Sequence, residues 1–273
     1  MIFNDNSAEA RHAAEFALSI AQNVHANIIL GNTYVKSTKP VEKVFAGFDE
    51  KSGPYEPLSP DLLAHLKLMN NKRSSYKPEI IETDISQMNE AKVAELINKN
   101  NIWMIVKGAV DILHEISPGK SLNVRSILNK VLCPLMLVPM DWQLKEMERL
   151  VYIADLRYCR IQVVKYLAAI AGPVKASLLI AHLTANGLPD MEEKYALNVF
   201  TEGISNNVQY DNLYFNNIKE KDLKRAVDVI INGMHNDLLV LVNHRFHFEE
   251  IMGRHKANNQ PIQVTVPLLI FPF

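Results

Sequence analysis

An excess of charge of either sign is missing from this chain: 29 Lys and Arg face 30 Asp and Glu, a formal net charge of −1 in 273 residues. That balance excludes attachment to nucleic acid by bulk positive charge, and it excludes an acidic solvating tail. Cysteine is scarce as well. Cys133 and Cys159 supply neither a disulfide framework nor metal-ligand spacing, so a reducing, cytoplasmic setting is expected. No stretch approaches the ~18 uninterrupted apolar residues of a membrane span, and no contact with membrane is expected. The residues after Met1 lack a basic segment followed by a long apolar one, so no secretory leader is expected. What the chain does hold is core material: 48% hydrophobic residues against 22% charged, enough to exclude disorder for most of it. The length exceeds one ordinary domain and fits two of about 135 residues each.

That arithmetic directs attention to internal repeats. At an offset of 150, residues 2–30 fall on residues 152–180 without a gap. Both copies run through apolar residues, an Asp (Asp5 or Asp155), a polar helix start, a helical stripe, then Val-x-Ala and a second apolar run. Identities are few, among them Ile20/Ile170, Ala21/Ala171, Val24/Val174 and Ala26/Ala176; the apolar pattern agrees better than the letters do. The ends of the halves match at an offset of 133, Cys133-Pro-Leu-Met-Leu-Val-Pro139 on Val266-Pro-Leu-Leu-Ile-Phe-Pro272. The difference places about seventeen extra residues in the first half, within the Pro-, Gly- and Lys-rich segment 36–60.

Each copy alternates strand and helix patterns. In the second half, strands are predicted at Leu150–Ile153, Ser177–His182, Leu213–Ile218, Leu238–Val242 and Leu268–Phe271. Helices are predicted around Val163–Ala171, over Met191–Asn206 and over Asp222–Met234. The first half mirrors this with Glu79–Thr83, Ala91–Asn98, Ile102–Val106 and Leu135–Val138 as its later elements. Five strands alternating with four helices predict an α/β fold with a doubly wound parallel sheet in each half. The domains are expected at 1–140 and 148–273, joined by the linker Asp141–Glu148.

An Asp closing strand one, an Ala-rich first helix, Val-x-Ala before strand two and the closing Cys-Pro-Leu-Met-Leu-Val-Pro resemble the universal stress protein family. The resemblance covers essentially the whole chain, in a tandem arrangement that the family also uses. It implies an adenine nucleotide alpha hydrolase-like fold in each half, and a last strand that pairs two such domains. It also implies a link to stress response, in a family of which some members bind ATP and others do not.

ATP-binding members of that family carry Gly-x2-Gly-x9-Gly-Ser/Thr after strand four, where glycines let backbone N–H groups reach the phosphates. In the first half Gly108 fits the first place, but Asp111, Ser121 and Leu122 stand at the others. A carboxylate at 111 repels a triphosphate; Gly119-Lys120-Ser121, two residues early, offers partial compensation. In the second half Asn243, Phe246 and Lys256-Ala257 stand at the motif positions. Asp5 and Asp155 sit where the resemblance implies a nucleoside contact, and each equally suits a helix N-cap, which the degraded loops favour. The candidate nucleotide-binding residues are therefore Asp5, Gly108, Gly119, Lys120, Ser121 and Asp155. No cofactor is expected, with ATP the sole candidate.

Other chemistries fare worse. A P-loop at Gly119-Lys120-Ser121 needs a glycine where His114 stands. His244, His247 and His255 share one loop with Arg245 and Arg254, but no carboxylate or cysteine completes a metal set, and no metal is expected. A two-component receiver would use Asn4-Asp5 and Asp84, yet Pro134–Pro139 lacks its lysine and Asn216-Asn217 replaces an aspartate in the second half. There is no Gly-x-Ser-x-Gly elbow, and the pairs Glu192-Glu193 and Glu249-Glu250 point apart on a helix. Cys159, at a helix start, is the one thiol whose pKa could be lowered. The chain is thus expected not to be an enzyme but a stress-response binding or regulatory module without tight ATP binding. The alternative is an ATP-binding or weakly ATP-hydrolysing protein using 108–122.

The closing strands Leu135–Val138 and Leu268–Phe271 are apolar edges that invite pairing. They are expected to join the halves as an intramolecular pseudo-dimer. A homodimer and an unidentified protein partner stay open, as does the role of 36–60 with Phe45, Phe48 and Tyr55.

Overall fold

The structure, a computed structural model, describes residues 1–34, 61–71, 76–110, 123–185, 187–252 and 263–273. The insertion at 36–60 and the loop residues Gly119, Lys120 and Ser121 lie outside these described residues.

The first half supplies β1 (Ile2–Asn4), α1 (Ala8–Val24), β2 (Ile28–Asn32), α2 (Leu62–Asn70) and β3 (Ile80–Asp84). It continues with α3 (Glu90–Lys99), β4 (Ile105–Ala109), α4 (Val124–Leu128) and β5 (Leu135–Pro139). The second half supplies β6 (Arg149–Ala154), α5 (Ile161–Ala171), β7 (Ser177–Leu183), α6 (Glu193–Gly203) and β8 (Leu213–Ile218). After these come α7 (Leu223–Asp228), β9 (Leu238–Val242), α8 (Phe246–Met252) and β10 (Leu268–Phe271). Among the described residues the ten strands form one sheet in the order β3-β2-β1-β4-β5-β10-β9-β6-β7-β8. Each half therefore has the same doubly wound order, and the expected pair of five-stranded sheets is fused into one. The fusion runs through β5 and β10, which pair antiparallel with Leu269 opposite Met136; the neighbouring pairings within each half are parallel.

Burial follows each strand's place in the sheet. The central strands β5, β9 and β10 are apolar and buried along their whole length, because helices cover both faces. The outermost strands β3 and β8 carry exposed positions such as Ile81 and Tyr214, as edges do. Strand β4 begins three residues later than the apolar run Ile102–Val106 predicts. The run is apolar for a tertiary reason: Trp103 stacks its indole on Tyr166 of the second half, while the backbone ladder with β5 starts only at Ile105. The helix predicted over 222–234 begins as α7 and widens into a π-helical turn over Val229–Gly233.

The helix α1 is held close to the sheet by small residues, with Ala10, Ala13, Ala14 and Ala17 buried. Its N-cap is Ser7, whose hydroxyl accepts from the Ala10 N–H at 3.1 Å. The linker between the halves is pinned rather than loose. Buried Asp237 accepts from the backbone N–H groups of Glu148 (2.9 Å) and Arg149 (3.0 Å) and pairs with Lys145 at 2.5 Å.

Candidate functional site

In an open doubly wound sheet, ligands sit beyond the carboxyl ends of the strands, where the strand order reverses. The second half has that crevice between β6 and β9. The side chains there fill it. Asp155 follows β6 and is buried, and its Oδ1 accepts from the Arg157 N–H (3.1 Å) and Nε (2.7 Å). Its Oδ2 accepts from Arg157 Nη2 and from the Ala185 N–H at 3.1 Å. Burial by itself would raise the Asp155 pKa; the Arg157 guanidinium and the N–H groups of Ala185 and Arg157 outweigh it and hold the carboxyl below the usual range. Asp155 caps the short 3-10 turn Leu156–Tyr158, which is the cap role set beside a nucleoside contact in the sequence reading.

His182, near the end of β7 and fully buried, accepts the Leu156 N–H on Nδ1 at 3.2 Å. The same Nδ1 lies 3.4 Å from the Ala154 carbonyl, and Nε2 has no hydrogen-bond partner among the described residues. Burial pushes its pKa below the ordinary histidine value, against a smaller opposing pull from Asp155. Nothing in the sequence singled out His182, although a polar residue inside the apolar run Leu178–Leu183 was a usable signal. Asn32, 150 residues earlier, holds the same place in the first half, where Asn4 donates to its Oδ1 at 2.7 Å.

This histidine gives the fold a pH dependence. Below about pH 6.5 the unfolded chain takes up a proton on His182 that the folded chain resists. Its contribution to stability is therefore complete above that pH and falls as the pH drops from there towards the lower folded value. Urea unfolding of the wild type and His182→Gln from pH 8 to pH 5 should show a difference with a slope of at most about 1.4 kcal/mol per pH unit, appearing below about pH 6.5. Parallel pH profiles would contradict it.

On the β9 side, α8 starts directly after a tight turn. His247 is buried and donates from Nε2 to the Leu183 carbonyl at 2.7 Å, with Nδ1 facing Glu250 at 3.2 Å. Phe248 is buried, and the Arg245 guanidinium lies over the rings of Phe273 (4.6 Å) and Tyr158 (5.7 Å). The cavity left among Asp155, Tyr158, Arg245, His247 and Phe248 has a volume of about 20 Å³, room for about one water. Asn243, at the place of the first phosphate-loop glycine, is fully buried and donates to Asn129 of the first half at 2.7 Å. Exposed His244 meets the same Asn129 oxygen at 3.0 Å, and Arg125 pairs with Glu249 at 2.5 Å. The turn after β9 and the start of α8 thus form a contact between the halves.

The first half is arranged otherwise. Asp5 is exposed and accepts from the Ser7 N–H at 3.1 Å and from its hydroxyl, so it braces the cap residue instead of being the cap. Asp5 and Asp155, matched in sequence, thus have different surroundings. Gly108 lies within β4, opposite Val138, rather than after the strand. A Cβ there would come within 2.1 Å of the Glu9 carbonyl oxygen, so this glycine is needed for α1 to pack. The structure does not gather Asp5, Gly108 and Asp155 into one site: Asp155 belongs to the β6–β9 crevice of the other half. Cys159 precedes α5 instead of opening it, and burial pushes its thiol up to about 12, the opposite of activation.

No protein-family model matches the sequence, and no curated protein matches it. The fold does have relatives among solved structures. A universal stress protein from Archaeoglobus fulgidus DSM 4304 is similar with a TM-score of 0.57 at 11% identity, over 99% of this chain and 96% of that one. A protein of unknown function from Pseudomonas aeruginosa PAO1 is similar at 0.51 and 10%, over 99% and 90%. At such identities the likeness shows the fold alone, and the fold is that of the universal stress proteins. No helix among the described residues is long and apolar enough to cross a membrane.

Proposed function

We propose that this chain, built on the universal stress protein fold, is a cytoplasmic stress-response binding or regulatory module with no reaction of its own and without tight ATP binding. The observation that carries the reading is the use made of the second-half crevice. Asn243 is tied to Asn129 of the other half, and the space beside Asp155 is reduced to about 20 Å³. A nucleoside needs a cavity more than ten times larger, on the order of 300 Å³. In the first half the sequence puts Asp111 where a phosphate would approach a glycine, and Gly108 serves the packing of α1.

Thermal unfolding with millimolar ATP and Mg²⁺ tests this directly, because a ligand at a hundred times its dissociation constant stabilises a fold by about 2.7 kcal/mol. No shift is expected. A second reading, nucleotide held by the first half through 108–122, draws support from Asp5, whose carboxylate is exposed at the end of β1 where Asp155 is buried. It predicts a clear ATP-dependent rise in melting temperature that Lys120→Ala diminishes, and that result would displace the first reading.

A further inference from the structure

The antiparallel pairing of β5 with β10 creates two clefts where the halves meet, related by the approximate two-fold of the repeat. In one, Phe16 of α1 meets Trp142 edge-on, with ring centroids 4.9 Å apart. Trp142 is buried, and the linker continues across this cleft to the Asp237 clip. In the other, Tyr166 of α5 stands 150 residues on from Phe16 and stacks on Trp103 at 4.6 Å. The Tyr166 hydroxyl donates to the Trp103 carbonyl at 2.9 Å, and the Phe271 ring packs on Tyr166 edge-on at 5.1 Å. Each cleft has its indole, but the linker crosses only the first. The second retains a cavity of about 420 Å³.

That volume lies within the range of small-molecule sites, roughly 300–1,000 Å³, and junctions between domains are where such sites concentrate. The lining is mainly apolar and includes Trp103, Tyr166, buried Phe271 and exposed Leu132, and the side-chain amides of Asn98, Asn101 and Gln162 add hydrogen-bonding capacity. Among the described residues one charged residue lines it, Arg160. Among the described residues the guanidinium is oriented by one hydrogen bond, Nη1 to the Pro272 carbonyl at 2.8 Å, and the other donors of its planar fork suit an anion. Burial pushes the Cys133 thiol up to about 11, so it stays neutral and adds no opposing charge at neutral pH. Aromatic faces beside one fixed cation define the chemistry of the guest.

We propose that this groove binds a planar aromatic carboxylate, with its ring on the Trp103–Tyr166–Phe271 surface and its carboxylate on Arg160. The site is distinct from the β6–β9 crevice, and it does not depend on whether either half holds a nucleotide.

Calorimetry on the full chain with 2-naphthoate and its uncharged counterpart 2-naphthamide tests both parts of the proposal. Naphthoate is expected to bind about tenfold more tightly than naphthamide, the scale of one charge-assisted hydrogen bond. Arg160→Gln should remove that difference while leaving naphthamide unchanged. Leu132→Asp supplies a second variant that spares the core, since Leu132 is 89% exposed; it should weaken naphthoate more than naphthamide by adding a negative charge at the opening. Trp103→Phe should weaken both probes. Absence of binding by either probe at millimolar concentration overturns the proposal, as does equal affinity for the two. Loss of binding in Trp142→Phe with Trp103→Phe unaffected overturns it too, because it puts the guest in the other cleft. Concentration-dependent dimerisation that Leu132→Asp abolishes, without probe binding, would assign the surface to a second copy instead.

Discussion

Leu269→Asp is expected to abolish cooperative folding of the whole chain, not of the second half alone. Leu269 occupies the middle of β10, opposite Met136 of β5 on one side and Val240 of β9 on the other, and all three side chains are fully buried. Truncating a buried leucine to alanine costs about 2–5 kcal/mol through lost transfer energy and the cavity left behind. An aspartate adds the cost of a carboxyl group with no partner in an apolar layer, so the total is on the order of 5 kcal/mol or more. That equals the whole stability of many proteins, about 5–15 kcal/mol. The seam is backbone-paired as well as packed, so neither half keeps a finished surface once it opens: β5 and β10 would each become an apolar edge. Urea unfolding followed by far-UV circular dichroism and by tryptophan fluorescence checks this. The wild type should give coincident transitions in the two signals, although Trp103 and Trp142 both lie before β6. Leu269→Asp should give no cooperative transition, and Leu269→Ala a lower midpoint with the transition intact. Tyr214→Lys on the exposed edge of β8 is the control, with an effect within about 0.5 kcal/mol. A soluble Leu269→Asp protein with the wild-type midpoint would show that the halves are not joined this way.

The seam was legible in the sequence because its strands are short, wholly apolar and bounded by proline. Leu268–Phe271 begins and ends at the residues predicted and β5 runs one residue past the predicted Val138, while away from the seam Leu238–Val242 and Leu213–Ile218 also match. The same rule misplaced β4. An apolar run marks burial, and Ile102-Trp103 is apolar because it faces the cleft between the halves, which no pattern within one half can reveal. The candidate site was less legible for a related reason. Asp5 and Asp155 are identical in type and in repeat position, yet one is exposed and the other buried in a bidentate pair. The difference comes from the residues two places on, Ser7 and Arg157. Long-range partners decided the rest: Asn243 found Asn129, and His247 found the Leu183 carbonyl. What the sequence carried about function was an expectation, drawn from the family resemblance, that Asp111 and Asn243 stand where glycines would meet a phosphate. It did not carry the contact that Asn243 makes with Asn129.

Gly108→Ala separates the two meanings of the glycine that best matched the nucleotide motif. The substituted Cβ would lie 2.1 Å from the Glu9 oxygen, 2.3 Å from the Glu9 carbonyl carbon and 2.9 Å from the Ala10 nitrogen. These are backbone atoms of α1 and its first turn, so no rotamer change relieves the contact. The helix must shift off β4, against a face of Ala13 and Ala14 that has no exposed surface to give. Overpacking of that kind costs about 3 kcal/mol at the upper end of its usual range. For a chain of this size that lowers the melting temperature by roughly 10 °C, at about 2–4 °C for each kcal/mol. Gly203→Ala makes the same chemical change at the exposed last residue of α6, where φ is not positive and nothing beyond the chain neighbours and the helix's own backbone lies within 4 Å of the added carbon. It should stabilise by about 0.4–1 kcal/mol by restricting the unfolded chain. Opposite signs for the two glycines establish Gly108 as a packing requirement. An unchanged melting temperature for Gly108→Ala, joined to loss of an ATP-dependent shift, would return this glycine to phosphate binding and the first half to the nucleotide reading.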